Sequence, residues 1–277
     1  MRILITGSNG MLGSDLVEVL SDNYEVIPTT SKTLDITNKE LVLEKISEHK
    51  PDVIINSAAY TDVDGCESNK ELAYNINGKA CENLAICSAN IGSTLIHIST
   101  DYVFDGKNSV PYTENDNTNP INVYGKSKLI GEEFIKNTID SYFIFRTSWL
   151  YGVNGDNFVK TMIELSKNNS EISVVNDQRG SPTFTHDLAI VISKIVQSDK
   201  YGIYNLTNSD NCTWFDFAKD IFELSSIDMK VNPVKTDEFP RPAKRPKYSV
   251  LSGEKLVKNG FKPLRPYKKG LKDYLSF

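Results

Sequence analysis

The sequence predicts an α/β fold, a doubly wound parallel sheet of the Rossmann type with a smaller C-terminal α/β lobe. Three observations support it. Short apolar runs alternate with amphipathic helical patterns through residues 1–150. These runs are almost continuous in Val, Ile and Leu, which is typical of parallel strands that are covered on both faces. A glycine-rich segment, Gly7 to Gly13, lies where the first run ends and the first helical pattern begins.

Hydrophobic periodicity predicts the elements in order. The predicted strands are Arg2–Thr6, Glu25–Pro28, Val53–Asn56, Thr94–Ser99 and Tyr142–Arg146. The predicted helices between them are Met11–Leu20, Lys39–His49 (with Asn38 as its cap), Glu71–Ala89 and Val123–Ile135. Further helices are predicted at Phe158–Leu165, Asp187–Val196 and Trp214–Leu224, followed by a Pro/Lys-rich tract at Pro233–Pro246.

The alternation loosens after Trp149, which predicts a domain boundary. We expect residues 1–150 to form the sheet domain and residues 151–277 to form a smaller substrate-binding lobe, with part of the C-terminal region returning to the sheet domain. Open parallel sheets bind ligands outside the carboxyl ends of their strands, so we expect a ligand crevice between the two parts.

Composition excludes several classes of protein. The chain has 277 residues, 39% hydrophobic and 24% charged, with a net charge of −5. This is the composition of a folded domain, and it contains no basic stripe for nucleic acid. No apolar run approaches the roughly 20 residues of a membrane span, and the opening segment is too short for a signal peptide. We therefore expect a soluble cytoplasmic protein with no nucleic-acid or membrane partner.

Cysteine and histidine spacing gives no sign of a metal centre. The four cysteines form no C-x-x-C pair, and the three histidines lie far apart in the sequence. We expect buried thiols in a reducing compartment and assign no metal ligands.

The glycine-rich segment reads Gly7-Ser-Asn-Gly10-Met-Leu-Gly13, a G-x-x-G-x-x-G spacing one residue longer than the usual dinucleotide fingerprint. At a strand-to-helix junction, such a loop directs helix N–H groups and the positive end of the helix dipole toward a pyrophosphate. An ordinary glycine turn is the alternative. A nicotinamide dinucleotide is the leading ligand.

The end of the second strand bears on cofactor preference. It reads Thr29-Thr30-Ser31-Lys32, without the acid that usually binds the adenosine ribose of NAD. Small hydroxyls and a lysine tolerate a 2′-phosphate, so NADPH is favoured. Asp35 follows a few residues later and leaves NADH open.

Tyr124 and Lys128 are four residues apart in a predicted helix and therefore share a face. This spacing alone is weak evidence, since both residue types are common in the chain and a surface pair is the plain alternative. The preceding strand, however, ends at Ser99-Thr100-Asp101, where a hydroxyl would face the crevice. An ammonium nearby would lower the tyrosine pKa from about 10 toward neutrality. Such a phenol can protonate a carbonyl oxygen while Thr100 hydrogen-bonds it, which is carbonyl-reduction chemistry.

Further blocks follow along the chain. They are Asn56-Ser-Ala-Ala-Tyr-Thr61 with Val63, Asp64 and Glu67; Ser99-Thr-Asp-Tyr-Val-Phe-Asp-Gly106; Arg146-Thr-Ser-Trp-Leu-Tyr-Gly152; Asp177-Gln178 with Gly180-Ser-Pro-Thr183; and Arg245-Pro246 with Ser249. With the glycine loop and the Tyr/Lys pair, the chain resembles the extended short-chain dehydrogenase/reductases, and more narrowly the dTDP-4-dehydrorhamnose reductases. The likeness runs nearly end to end, and the Ser99–Gly106 block is the most diagnostic.

The resemblance implies NAD(P)H-dependent reduction of dTDP-4-dehydro-β-L-rhamnose to dTDP-L-rhamnose, the last step in making this nucleotide-sugar donor. It implies that Tyr124 is the proton donor, that Lys128 lowers its pKa and holds the nicotinamide ribose, and that Thr100 positions the ketone. The implied cofactor-binding residues are Gly7, Gly10, Met11, Leu12, Gly13, Asp35, Ile36, Ala58, Ala59, Tyr60, Ser99, Tyr124 and Lys128. The implied substrate-binding residues are Val63, Thr100, Asp101, Tyr102, Trp149 and Arg245.

Two further points of comparison with the family, and two alternative functions, belong to the sequence prediction. Tyr248 stands where many members have Asn. Some relatives form magnesium-linked dimers through carboxylates; we identify no matching acids, and a homodimer stays open. The alternatives are another nucleotide-sugar 4-ketoreductase or epimerase, and a non-catalytic regulatory subunit, which would not need Tyr124 and Lys128.

Overall fold

A computed structural model describes residues 1–277. In chain order the strands are β1 (Arg2–Thr6), β2 (Glu25–Pro28), β3 (Val53–Asn56), β4 (Thr94–Thr100), β5 (Tyr142–Thr147), β6 (Leu150–Tyr151), β7 (Glu171–Val175), β8 (Arg179–Gly180), β9 (Thr183–Phe184), β10 (Gly202–Asn205), β11 (Cys212–Thr213) and β12 (Lys230–Val234).

The helices are α1 (Met11–Ser21), α2 (Lys39–His49), α3 (Val63–Ser68), α4 (Lys70–Ala73), α5 (Ala80–Ile91), α6 (Val123–Thr138), α7 (Phe158–Ser166), α8 (Thr185–Ile195), α9 (Trp214–Leu224), α10 (Glu254–Lys258) and α11 (Tyr267–Tyr274). A π-helical segment joins α4 to α5, and short 3₁₀ turns follow β4 and β12. None of these helices combines the length and the apolar character that crossing a membrane requires.

The central sheet has six parallel strands in the order β10-β5-β4-β3-β1-β2. The chain runs from β1 outward to β2 and then crosses back to β3 on the other side of β1. This reversal is a topological switch point, and ligands of open α/β sheets bind beside the carboxyl ends of the strands there. The segments after β1, β3 and β4 therefore meet at one edge.

Apolar side chains cover both faces of this sheet, as the nearly continuous Val/Ile/Leu runs predict. On one face, Ile3, Ile5 and Phe143 belong to a buried cluster with residues of α1 and α8. On the other face, Leu4 and Ile54 belong to a cluster with residues of α2 and α5. The predicted α/β class with a doubly wound parallel sheet is confirmed.

One predicted helix differs from the structure. Instead of a single helix at Glu71–Ala89, the chain forms α4, a π-helical segment at Tyr74–Lys79, and α5. The widened turn holds Asn77, whose Oδ1 accepts a hydrogen bond from the Tyr60 backbone N–H at 2.8 Å and whose Nδ2 donates to the Tyr60 carbonyl at 3.0 Å. The π turn thereby fixes the segment after β3, and periodicity alone cannot reveal it.

The second part of the chain contains elements that the hydrophobic pattern did not predict. Its short strands form two-stranded pairs, β12 with β7, β11 with β8 and β6 with β9. A third apolar cluster, which includes Tyr151, Phe184 and Phe217, forms its core. The returning stretch lies at α8, which packs on α1, and β10, which pairs with β5. We propose the division near residue 150 with this stretch assigned to the sheet domain.

Candidate active site

The three glycines after β1 differ in whether the surrounding backbone leaves room for a side chain. Gly7 has a φ of 64°, and a Cβ there would lie 2.8 Å from the Ala58 backbone. A Cβ on Gly13 would lie 2.1 Å from the Gly7 carbonyl oxygen. A Cβ on Gly10 would meet only that oxygen, at 3.2 Å. The fold thus requires Gly7 and Gly13, whereas Gly10 leaves an open cradle.

Helix α1 begins in this cradle without any group that satisfies its first N–H donors. Gly10 is the N-cap and supplies no side-chain hydrogen bond, and the first turn contains no acid. The first N–H groups of a helix have no intrahelical acceptor, and the dipole makes this end attractive to anions. Met11 and Leu12 are the first two residues of α1, and the Leu12 side chain is buried. This end of the helix therefore offers backbone N–H groups to a ligand.

The other expected cofactor-binding residues lie on the loops after β2 and β3, and some of them make hydrogen bonds within the protein. The Asp35 carboxylate accepts hydrogen bonds from the Thr37 N–H at 2.9 Å and hydroxyl at 2.7 Å, so it caps its own turn. The carbonyl of the buried Ile36 accepts from the Asn83 amide at 3.1 Å. Ala58, Ala59 and Tyr60 follow β3 and are half-buried.

The hydroxyl of Ser99, one of the expected cofactor-binding residues, is turned into the protein interior. This hydroxyl is buried and donates to the Glu132 carboxylate at 2.5 Å. Glu132 also accepts two hydrogen bonds from Arg146, at 3.0 Å and 2.6 Å. Ser99 therefore joins a buried ion pair between β5 and α6.

Helix α6 carries the tyrosine and the lysine. The Asn122 side chain caps it by accepting from the Gly125 N–H at 2.8 Å. A Cβ on Gly125 would lie 2.1 Å from the Tyr102 carbonyl oxygen, so the first turn of α6 packs directly on the turn after β4. In consequence the Tyr124 ring meets the Tyr102 ring edge-on, with centroids 5.8 Å apart.

Lys128 is buried one helical turn further on, at 1% exposure. Its Nζ donates to the Ile98 carbonyl at 2.6 Å and lies 3.2 Å from His97 Nε2. Desolvation lowers the pKa of Lys128, while Cys81 and Glu132 act in the opposite direction. An ammonium has three N–H donors, so these two partners leave one for a ligand.

Tyr124 departs from the expected electrostatics. Its side chain is only partly exposed, and desolvation raises its pKa above the ordinary value, with Thr100 opposing and Asp101 adding to the rise. Lys128 is not among the groups that shift this pKa most. The expectation that Lys128 lowers this pKa is therefore not met in the chain alone, because the ammonium is turned toward Ile98 and His97. The phenol stays protonated at neutral pH, as a proton donor must.

Thr100 and Asp101 form the turn that faces Tyr124. The Thr100 hydroxyl donates to Asp101 Oδ1 at 3.0 Å and accepts from the Tyr102 N–H at 3.2 Å. Asp101 is buried, and desolvation raises its pKa to about 7 although Ser249 and Thr100 hydrogen-bond it. This turn thus brings a hydroxyl and a carboxyl with an unusual pKa close to the phenol.

A cavity of about 550 Å³ adjoins this turn and lies between the two parts of the chain. Val63, Tyr102 and Arg245, all expected to bind substrate, line it. Residues that the sequence reading missed include Phe158, Met162, Gln178, Trp214, Thr236, Phe239, Arg241 and Lys244. Only Gln178 stood in a motif already noted; the others come from elements whose mutual placement the sequence does not show.

Trp149 is placed differently from the other substrate positions. It has a φ of 48°, and its ring stacks on that of Trp214 with centroids 3.6 Å apart. Trp214, not Trp149, lines the cavity. A Cβ on Gly180 would lie 2.5 Å from the Trp149 indole, so this ring is wedged between Gly180 and Trp214.

Arg245 is already paired within the protein. Its guanidinium lies 3.1 Å from the Asp64 carboxylate and above the Tyr102 ring, 5.9 Å from the centroid. Arg241 lies 3.7 Å from the same carboxylate. The cavity wall therefore holds two guanidinium groups against a single carboxylate.

One cluster falls outside the residues assigned from sequence. Asp15 and Glu18 on α1 and His186 on α8 bring ligand atoms within 4.8 Å of one another. The sequence predicted no metal ligands, because the cysteine and histidine spacing gave no metal-binding pattern and no matching carboxylates were identified; His186 is distant along the chain from Asp15 and Glu18. Glu18 is exposed, and exposed acidic groups are common without an ion.

A glycine cradle at the switch point of a parallel sheet, with a Tyr/Lys pair beside a large cavity, defines the class of short-chain dehydrogenase/reductases. The whole-chain comparisons are more specific. Residues 1–276 match the family model described as the RmlD substrate binding domain. The dTDP-4-dehydrorhamnose reductase of Aggregatibacter actinomycetemcomitans is 43% identical over 270 residues, covering 92% of each chain.

Solved structures agree. A dTDP-4-dehydrorhamnose reductase from Clostridium acetobutylicum is 50% identical with a TM-score of 0.98, covering 100% of this chain and 99% of that one. The enzyme of the same name from Bacillus anthracis, in complex with NADP, is 46% identical with a TM-score of 0.98, covering 99% and 98%. The chain belongs to the dTDP-4-dehydrorhamnose reductase family.

Proposed function

We propose that this chain reduces the 4-keto group of dTDP-4-dehydro-β-L-rhamnose with NADPH and so forms dTDP-L-rhamnose. The observation that carries the proposal is the placement of Tyr124 and Lys128. They lie one turn apart on α6, beside the turn at Thr100 that adjoins the 550 Å³ cavity. Family membership supplies the substrate class.

The residues present fit a nicotinamide dinucleotide phosphate. Gly10 leaves room at the N-terminus of α1 for a pyrophosphate. Lys128 retains one N–H donor for a ribose hydroxyl. Lys32 is exposed in the loop after β2 and can meet a 2′-phosphate, while the Asp35 carboxylate in the same loop is occupied in its own turn. The relative from Bacillus anthracis binds NADP.

When bound, NADPH would provide the hydride that the carbonyl carbon receives in the proposed reaction. Tyr124 donates its hydroxyl proton to the carbonyl oxygen, so the C=O bond becomes CH–OH and the tyrosine is left as a phenolate. Its raised pKa keeps the donor protonated before the reaction. Thr100 positions the ketone oxygen through its hydroxyl, and Lys128 offers its remaining N–H donor to the nicotinamide ribose.

The cavity would hold the nucleotide part of the substrate. Phe158 and Trp214 offer aromatic faces on which a base or sugar can stack. Arg241 and Arg245 line the same cavity, and a diphosphate with two negative charges would outcompete the single Asp64 carboxylate for both guanidiniums. Trp149 would act from behind Trp214, by holding that ring in place.

We also propose the cytoplasm as the location. All four cysteines are free and buried, which suits a reducing compartment. A homodimer is the oligomeric state that the family likeness favours, and the mass of the purified protein in solution tests it.

The deciding experiment supplies purified protein with dTDP-4-dehydro-L-rhamnose and follows the absorbance of reduced nicotinamide. We expect stoichiometric oxidation of NADPH and formation of dTDP-L-rhamnose, with Tyr124→Phe as the matched inactive control. Conversion of a nucleotide sugar without net oxidation would identify an epimerase instead. Faster oxidation with a different dTDP-4-keto sugar would identify another 4-ketoreductase, and no oxidation with any of them would leave a non-catalytic role.

A further inference from the structure

A histidine that the proposed reaction does not use is in hydrogen-bond contact with Lys128. His97, on β4, is fully buried, and its Nε2 lies 3.2 Å from Lys128 Nζ. Its other ring nitrogen, Nδ1, lies 3.1 Å from Asn56 Nδ2, and Asn56 Oδ1 accepts a hydrogen bond from the Thr6 hydroxyl at 2.7 Å. A continuous polar chain therefore runs from the lysine through the sheet to β1.

The imidazole in this chain is neutral. Burial and the neighbouring Lys128 charge lower the pKa of His97 well below its ordinary value. A neutral imidazole offers one donor and one acceptor. If Lys128 is an ammonium, Nε2 must accept from it, and Nδ1–H must then donate to Asn56 Oδ1. This pattern needs the Asn56 amide turned by half a turn from the orientation in which Nδ2 faces Nδ1.

The same chain also satisfies an uncharged Lys128. The amide nitrogen of Asn56 then donates to Nδ1, and Nε2–H donates to the lysine amine. The two patterns differ only by a half-turn of the Asn56 amide. The Thr6 hydroxyl can donate to the amide oxygen or accept from the amide nitrogen, so it satisfies Asn56 in both patterns. His97 can therefore hold Lys128 in both protonation states without leaving a buried polar group unpaired, which would be costly.

The other charged or titratable neighbours cannot do this. Glu132, on α6, is buried, but its carboxylate is bound by Ser99 and Arg146. Cys81, on α5, approaches the His97 ring with its Sγ at 3.8 Å from Nδ1 and hydrogen-bonds the Asn77 carbonyl at 3.2 Å. His97 is thus the only side chain that hydrogen-bonds Lys128 Nζ.

We propose that His97 is a positioning residue for the proposed reduction. Its hydrogen bond to Lys128 Nζ keeps the remaining N–H donor of the lysine directed at the cofactor ribose. The proposal rests on the proposed function only in naming that reaction. Its effect on cofactor affinity can be measured without any sugar substrate.

Two substitutions separate this role from simple core packing. The amide of His97→Gln reaches the place of Nε2 and can keep the Lys128 contact. The amide of His97→Asn matches the place of Nδ1 and keeps only the Asn56 contact. A lost hydrogen bond to a charged group corresponds to about a tenfold change. We expect His97→Asn to weaken NADPH binding and to lower kcat/KM about tenfold, and His97→Gln to stay within about threefold of the unsubstituted protein.

A double-mutant cycle with Lys128→Met tests the route. If His97 acts through Lys128, His97→Asn adds no further loss of NADPH affinity in the Lys128→Met background. Ile96→Val, on the opposite face of β4, is the packing control and should leave NADPH affinity unchanged. Equal losses in the Asn and Gln variants, or additive losses with Lys128→Met, would overturn the proposal.

A measurement on the unsubstituted protein decides the matter if the variants do not fold. Nitrogen-15 NMR of the histidines should show His97 as a neutral imidazole between about pH 5 and about pH 9. An imidazole that gains a proton near its ordinary pKa would repel the Lys128 ammonium and overturn the proposal. Absence of turnover with intact NADPH binding would instead refute the proposed function and leave this inference standing.

Discussion

Tyr124 shows how a side chain's surroundings decide its chemistry. An adjacent lysine on the same helical face suggests a phenol with a lowered pKa, yet the Lys128 ammonium binds Ile98 and His97 and the phenol pKa is raised. Reduction of a ketone consumes a proton at the oxygen, so a firmly protonated phenol serves this direction of the reaction. In the proposed reaction the tyrosine would therefore act as an acid rather than as a preformed base.

We predict that Tyr124→Phe lowers turnover about 10²- to 10⁴-fold, because it removes the general acid and leaves the ring in place. The NADPH dissociation constant should change little, since Lys128 and the glycine cradle remain. Steady-state kinetics and a cofactor titration measure the two effects. The control is Tyr204→Phe on β10, which removes a hydroxyl that donates to the Lys200 carbonyl and should leave turnover intact. Near-normal turnover of Tyr124→Phe would exclude the assigned role.

Asp101 supplies a prediction for pH. Burial raises its pKa from the usual 3.8 to about 7, so between these values the folded chain holds a proton that the unfolded chain has released. The free energy of unfolding should therefore fall as pH rises through this interval. Asp101→Asn should flatten this dependence and raise the melting temperature at about pH 8.

Thermal denaturation of both proteins at about pH 5 and about pH 8 measures the difference. The exposed Asp140→Asn is the control and should keep the slope of the unsubstituted protein. The idea fails if Asp101→Asn shows the same slope as well.

Helix α6 is the element on which the site depends. Tyr124, Lys128 and Glu132 are spaced four residues apart and lie along one face of the helix. The first two are the proposed active-site residues, and the third anchors the helix. Glu132 is fully buried and pairs with Arg146, which is 3% exposed. The ion pair therefore fixes this face of the helix against β4 and β5.

We predict that Glu132→Gln lowers the free energy of unfolding by about 3–5 kcal/mol, because it leaves a buried arginine charge without its partner. Glu133→Gln, one residue along the helix, breaks a surface pair with Lys136 and should cost less than about 1 kcal/mol. Urea denaturation of the two variants gives the comparison. Similar losses in both would show that the buried pair does not anchor the helix.

The bounds of helices and strands were predicted correctly where the hydrophobic periodicity was regular. Strands β1, β2 and β3 and helices α2 and α9 have the predicted bounds. The sequence missed the π turn at Tyr74–Lys79, because that turn depends on Asn77 bonding a distant loop. It also missed β10, a four-residue strand whose partner lies about 60 residues earlier.

For the whole molecule, the return of the chain to the central sheet is the main structural fact. Nine of the 20 buried residues in the cluster on the α1 face lie beyond residue 150. They include Leu188 and Ile192 of α8, which packs on α1. The sheet domain is consequently incomplete without the second part of the chain.

We predict that a fragment of residues 1–150 does not fold cooperatively, because it exposes the apolar face of α1 and leaves β5 as an unpaired edge. A fragment ending at residue 206, which retains α8 and β10, should be the more structured of the two. Circular dichroism and denaturant unfolding distinguish them. A cooperative transition in the shorter fragment would contradict this account of the core.

From the linear sequence alone follow the α/β class, the glycine cradle, the Tyr/Lys pair and the family likeness, because each is written in local spacing. Tertiary packing decided the rest: which glycine is left open, where the Lys128 ammonium turns, which aromatic ring lines the cavity, and how the second part completes the sheet. These depend on desolvation and on contacts between residues far apart in the chain. Such effects arise only when the chain has folded and water has been excluded from between its parts.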